Sequence, residues 1–129
     1  MFDDIITRFG TGARASIATV ANGTGYFAVT PQAPYDGRLT TAEQAEQLLA
    51  KAEARLEEIG STKAGLLFCA IILKDISEVA AFNAVWDGWV ADIAPPARAC
   101  FEANMANPDL KVEMIMICAV PDAPRAADA

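Results

Sequence analysis

Histidine is absent from the 129 residues. Its absence removes the usual base of a nucleophilic triad and the commonest metal ligand. Basic clusters are absent as well. The 10 Lys and Arg residues stand singly against 17 Asp and Glu, for a net charge of −7. A nucleic-acid partner is not expected, because phosphate contacts from a basic face supply most of that affinity. The three cysteines, Cys69, Cys100 and Cys118, lack CxxC spacing and lie in apolar stretches. With an odd count and no basic leader at Met1-Phe2-Asp3-Asp4, they read as reduced thiols in a reducing compartment, Cys69 and Cys118 as small core hydrophobes. No apolar run is long enough to cross a bilayer; the longest, Ala64 to Leu73, is half of the ~20 residues needed. A soluble, cytoplasmic protein with no membrane partner is the expectation. Internal repeats and low-complexity stretches are also missing.

What remains is one domain, residues 1–120, with a Pro/Ala/Asp-rich tail over 121–129 expected to fray. A chain of this length buries roughly two-thirds of its unfolded surface, enough for a core without staples. The composition is 53% hydrophobic and the mean hydropathy is +0.25. That leaves apolar surface beyond one core, which predicts association with further chains.

Ala15 to Ala21 and Gly25 to Thr30 are β-rich runs around Asn22-Gly23-Thr24, a hairpin signal. Pro31, Pro34 and Asp36-Gly37 mark a loop. Thr40 and Glu43 form a capping box, so a helix starts near Thr41. Ala45, Leu48, Leu49, Ala52, Leu56 and Ile59 share one helical face, and Gly60 terminates it. Leu66 to Leu73 reads as a buried strand. Asp75, with Glu78 three residues on, predicts the cap of a second helix running to Pro95-Pro96. Ala97 to Ala103 and Val112 to Val120 follow as strands around Asn107-Pro108-Asp109. The order β-β-α-β-α-β-β predicts an α+β mixed sheet with both helices packed on one face. The other face, apolar as well, is expected to meet other subunits.

Two charges sit in apolar strands: Arg98 in Ala97-Arg98-Ala99-Cys100-Phe101 and Glu113 in Val112-Glu113-Met114-Ile115. Charges are rarely buried unpaired. They form a structural ion pair, point to solvent at strand ends, or belong to a site. Arginine's planar fork grips a carboxylate, and a glutamate on an adjacent strand can hold and polarise a water. A backbone N–H near Arg98, such as that of Cys100, can add an anion contact.

Pro96-Ala97-Arg98-Ala99-Cys100-Phe101 resembles the Pro-x-Arg, small residue, Cys pattern of the RidA/YjgF family. Asp109-Leu110-Lys111-Val112-Glu113-Met114 is similar to that family's closing strand. Leu56-Glu57-Glu58-Ile59-Gly60-Ser61, Lys74-Asp75 and Phe82-Asn83 fit its layout, and Trp86-Asp87-Gly88-Trp89-Val90 with Asn107-Pro108 is nearest the YoaB-like branch. The resemblance runs from Arg14 to Val120. It implies a chorismate-mutase-like homotrimer with clefts between subunits, no cofactor, and hydrolysis of 2-iminoacids or 2-enamines to 2-oxoacids and ammonia. Carried over, Arg98 clamps the carboxylate of the imine or 2-oxoacid. Glu113 positions water, and the backbone at Cys100 touches the ligand.

The chain departs from the pattern at Val29-Thr30-Pro31-Gln32, where active relatives carry Ser-Gly-Gln. Thr30 keeps a hydroxyl, but Pro31 removes an N–H. Ile17 occupies the place of an upstream tyrosine, with Arg14 nearby. These substrate-binding candidates bear on specificity. Two further readings are a non-catalytic carboxylate-binding module and a pathway-specific deaminase taking a bulkier enamine. Some family members have been described as ribonucleases; the charge balance opposes that here.

Overall fold

The computed structural model describes residues 1–121; the expected tail lies, Pro121 excepted, outside the described residues. After a short 3-10 turn over Phe2–Asp4 the chain forms a strand that periodicity did not predict, β1 (Ile6–Phe9). Four residues are too few to display a period of two. β1 is an outer strand bonded only to β2 (Ala18–Ala21). The sheet therefore has six strands rather than five.

Asn22 and Gly23 turn the chain with φ of +52° and +78°, the doubly left-handed form of a two-residue hairpin. They join β2 to β3 (Thr24–Val29). Helix α1 (Thr41–Glu58) carries the expected capping box: Glu43 N–H donates to Thr40 Oγ1 at 3.1 Å and Thr40 N–H to the Glu43 carboxylate at 2.9 Å. All six residues expected on its inner face are buried. Gly60, at φ +91°, ends the segment. The next strand, β4 (Leu66–Leu73), has the predicted bounds.

Asp75 does cap, but not as a capping box. It accepts the Ser77 N–H at 2.9 Å and the Ser77 hydroxyl at 2.7 Å. A short 3-10 turn therefore precedes α2 (Val79–Trp89), and Glu78 makes no capping bond. The helix also ends at Trp89, six residues before Pro95, so the prolines begin the approach to β5 (Ala97–Glu102) rather than stop α2. Strand β6 (Val112–Ala119) closes the fold.

The strand order is β1-β2-β3-β6-β4-β5. Only β4 and β5, linked through α2, run parallel; every other pair is antiparallel. Both helices cover one face. There Leu48, Leu56, Ile71, Phe82, Met114 and Met116 form a dry core, each fully buried apolar side chain contributing about 1.5–3 kcal/mol. Among the described residues the opposite face carries no helix. Tyr26, Phe101 and Ile115 stand on it 43–46% exposed.

Candidate functional site

Strand register decides where each candidate side chain goes. Arg98 pairs with Cys69, and Cys69 with Met116, a core residue. Arg98 therefore projects on the helix side, at the outer strand β5. Its guanidinium donates to Asn83 Oδ1 of α2 at 2.7 Å. It also lies over the rings of Phe82 and Trp86, at 6.0 and 5.6 Å, contacts worth about 0.5–2 kcal/mol each. Cys100, two residues on, shares this side and is half-buried. Burial pushes its thiol up, against an opposing pull from the Arg98 charge. The thiol stays protonated at neutral pH, so any part for Cys100 falls to its backbone.

Glu113 pairs with Ile72 on β4 and stands on the open face, half-buried. The expectation that its strand neighbours that of Arg98 is corrected: β4 lies between β6 and β5. The pleat adds a second separation, since the two side chains leave opposite faces. The ion-pair reading is overturned too, because no carboxylate lies within 4 Å of Arg98 among the described residues.

Glu113 has other company. The β3–β6 ladder stops at Val29–Met114, one pair short of Thr30 and Glu113. Thr30 Oγ1 lies 3.0 Å from the Tyr35 hydroxyl and receives Lys51 Nζ at 3.4 Å. Pro31 is buried, and its carbonyl accepts from Lys51 Nζ at 3.4 Å. Ile17, 44% exposed, precedes β2 on the same open face and donates its N–H to Phe9 O at 2.8 Å. Arg14 is exposed in the loop before it. In one protomer Ile17 and Glu113 stand on the open face, while Thr30, just past the last β3–β6 pair, has its hydroxyl engaged by Lys51 of α1. Arg98 and Cys100 lie on the far edge, facing the other way.

Four residues of this arrangement were not singled out for it. Asn83, Lys51 and Tyr35 contact Arg98 or Thr30 from 15, 21 and 5 positions away, distances that carry no motif. Gln44 is buried in α1. Its amide nitrogen donates to Asp36 O at 3.1 Å and Asp109 O at 2.8 Å, while its oxygen accepts the Lys111 N–H at 2.8 Å. It thereby fixes the start of the strand that carries Glu113. A buried glutamine on an apolar helix face was the available signal.

Known proteins agree with this topology. The model of the family described as endoribonuclease L-PSP matches residues 8–120. A RutC family protein of Haemophilus influenzae is 35% identical over 113 residues, 87% of this chain and 96% of the relative. The RutC family protein YoaB of Escherichia coli is 35% identical over 89% of this chain and 98% of its own. The crystal structure of a YjgF family member from Neisseria meningitidis superposes with a TM-score of 0.82 at 39% identity, covering 92% of this chain and 97% of that one. With its mixed sheet, its two helices on one face and relatives matched over nearly their whole length, the chain belongs to the RidA/YjgF family, the family of endoribonuclease L-PSP and the RutC proteins.

Proposed function

We propose that the protein is a 2-iminoacid/2-enamine deaminase, assembled as a homotrimer in which the open face of one copy meets the β5 edge of another. The observation that carries this reading is Arg98. It is a half-buried cation whose one hydrogen bond among the described residues goes to a neutral amide oxygen, with aromatic faces beneath it. A guanidinium held this way has donors left for a ligand carboxylate. The water-positioning carboxylate, Glu113, stands apart from it in the same protomer, so a complete site needs two copies. The exposed apolar side chains of the open face supply a reason for the copies to associate.

In that site Arg98 fixes the substrate carboxylate and the Cys100 backbone adds an anion contact. Glu113 takes a proton from water as the oxygen adds to the imine carbon. Collapse of the resulting aminoalcohol breaks the C–N bond. The first proton has by then passed from Glu113 to the imine nitrogen; on collapse Glu113 carries the hydroxyl proton to the departing amine, so ammonia takes both protons of the water and the 2-oxoacid keeps its oxygen. No redox step occurs, and residues of the assembled copies carry every proton transfer.

A non-catalytic carboxylate binder is the second reading. It is favoured by Pro31, which has no N–H to offer, and by a Thr30 hydroxyl already engaged by Tyr35 and Lys51. Ribonuclease activity, which the family's description names, is disfavoured by the charge of −7. The test is ammonia and 2-oxoacid release from freshly generated 2-iminopropionate and 2-iminobutyrate. Acceleration by the native protein that vanishes in Arg98→Ala is the expected result. No acceleration by folded, assembled protein would overturn the deaminase reading in favour of the binder.

A further inference from the structure

Arg98 is an exception in how this chain treats its arginines. Arg8 meets the Asp3 carboxylate at 2.9 Å, Arg38 meets Asp36 at 3.0 Å and Arg55 meets Glu58 at 3.3 Å. Arg14 stands exposed in its loop, where water solvates the charge. Arg98 is half-buried and meets no carboxylate within 4 Å among the described residues. It donates instead to Asn83 Oδ1 at 2.7 Å. Beneath it lie the buried rings of Phe82 and Trp86, which bracket Asn83 on α2 and attract the cation without cancelling its charge.

The identity of residue 83 sharpens the exception. Aspartate has the shape of asparagine, and at that distance it would give Arg98 a charge-assisted bond about twice as strong as the neutral one. It would also neutralise the guanidinium and compete with any carboxylate arriving from outside. The amide oxygen fastens one N–H and leaves the charge in force. Because a guanidinium only donates, that oxygen must face it, and the amide nitrogen is left as a further donor with no partner among the described residues. The pair offers an incoming group donors and a net positive charge.

We propose that Asn83 is the positioning residue of the Arg98 clamp, and that its neutrality sets the preference of the site for a carboxylate over an uncharged ligand. This rests on Arg98 gripping the substrate carboxylate, as in the deaminase reading, but the binding it predicts is measured without turnover. Asn83 acts through Arg98 in two separable ways: its hydrogen bond fixes the direction of the fork, and its lack of charge leaves the cation for the ligand.

The experiment is calorimetric titration of the intact, assembled protein with 2-oxobutyrate and its uncharged amide, 2-oxobutanamide, which differ in the group that Arg98 would grip. Asn83→Asp and Asn83→Ala are compared with the native protein, with thermal melts to certify folding. The native protein should prefer the acid at least about tenfold. Asn83→Asp should melt no lower than the native protein, yet bring that preference to within about twofold. Asn83→Ala should weaken 2-oxobutyrate about fivefold while the acid stays ahead of the amide. A purely structural Asn83 would leave the preference intact in Asn83→Asp, since the fork is still fastened. A tenfold preference surviving in that folded variant therefore overturns the proposal. Should Asn83→Asp not fold, Asn83→Ala decides, and unchanged 2-oxobutyrate affinity there overturns it. If 2-iminobutyrate is hydrolysed while Asn83→Asp keeps the preference, the Asn83 proposal alone fails. If the preference shifts as expected while no imine is hydrolysed, the deaminase reading alone fails. If the native protein shows no preference for the acid, Arg98 is no clamp and both fail.

Discussion

The two faces of β6 are built from alternate residues of one strand and have different tasks. Val112, Met114, Met116 and Cys118 are fully buried beneath the helices, while Glu113, Ile115 and Ile117 look the other way, with no helix of the described residues above them. On the covered face, packing density sets energy; on the open face, the side chains are available to a partner or ligand. Stability and activity should therefore separate cleanly by parity along this strand.

Paired truncations test that division most strongly. Met114→Ala should cost about 2–5 kcal/mol of unfolding free energy, from lost burial and the cavity left behind. Ile115→Ala, one residue on, should cost less than about 1 kcal/mol per protomer while weakening assembly. Urea denaturation with sedimentation velocity separates the two effects; similar losses of stability from both variants would abolish the distinction between faces.

Next in size is Arg98→Ala, expected to lower kcat/KM for 2-iminobutyrate about a hundredfold while shifting the melting temperature by only a few degrees. An unfolded variant with no separable loss of activity would return Arg98 to a packing role against Phe82 and Trp86. Gln44→Leu sharpens the link between the faces. It strands two backbone carbonyls and one N–H, and should cost about 1–3 kcal/mol. It should also lower kcat by loosening the start of β6 under Glu113. Unchanged kcat in the folded variant would limit Gln44 to stability.

The smallest effect is a pH dependence belonging to the covered face. Burial pushes the Cys69 thiol up to about 12 from an ordinary 9.0. The folded state thus keeps a proton that the unfolded chain releases, so this contribution is complete below pH 9 and is lost as pH rises from 9 toward 12. Between pH 9 and 10 the unfolding free energy should fall by about 1 kcal/mol. Cys69→Ala should remove its share of that slope, as read from urea midpoints, leaving the shares of Cys100 and Cys118, whose thiols burial also pushes up.

The sequence made the covered face easy to read and the open face hard. The stripe from Ala45 to Ile59 and the apolar run Leu66 to Leu73 announce themselves because burial imposes a local period, and the Thr40–Glu43 cap lies within one turn. β1 escaped because four half-exposed residues at a sheet edge display no such period. The chemistry-bearing types, Arg98 and Glu113, were legible as charges in apolar strands. Their separation was not, because it depends on β4 inserting between their strands and on the parity of two registers. Neither is written near either residue. The Lys51–Thr30–Tyr35 cluster was invisible for a similar reason: a loop folding onto a helix brings the three together.

The antiphase on β6 also limits how such a chain can change over generations. Deleting or inserting one residue within β6 itself would exchange the two sets beyond that point, turning a methionine outward and an open-face side chain into the core, whereas the loop over residues 103–111 can absorb a change of length. Length changes inside this strand are therefore closed to selection unless a bulge absorbs the extra residue. Descendants of this sequence can retune their chemistry by substitution at alternate positions, but they inherit the spacing whole.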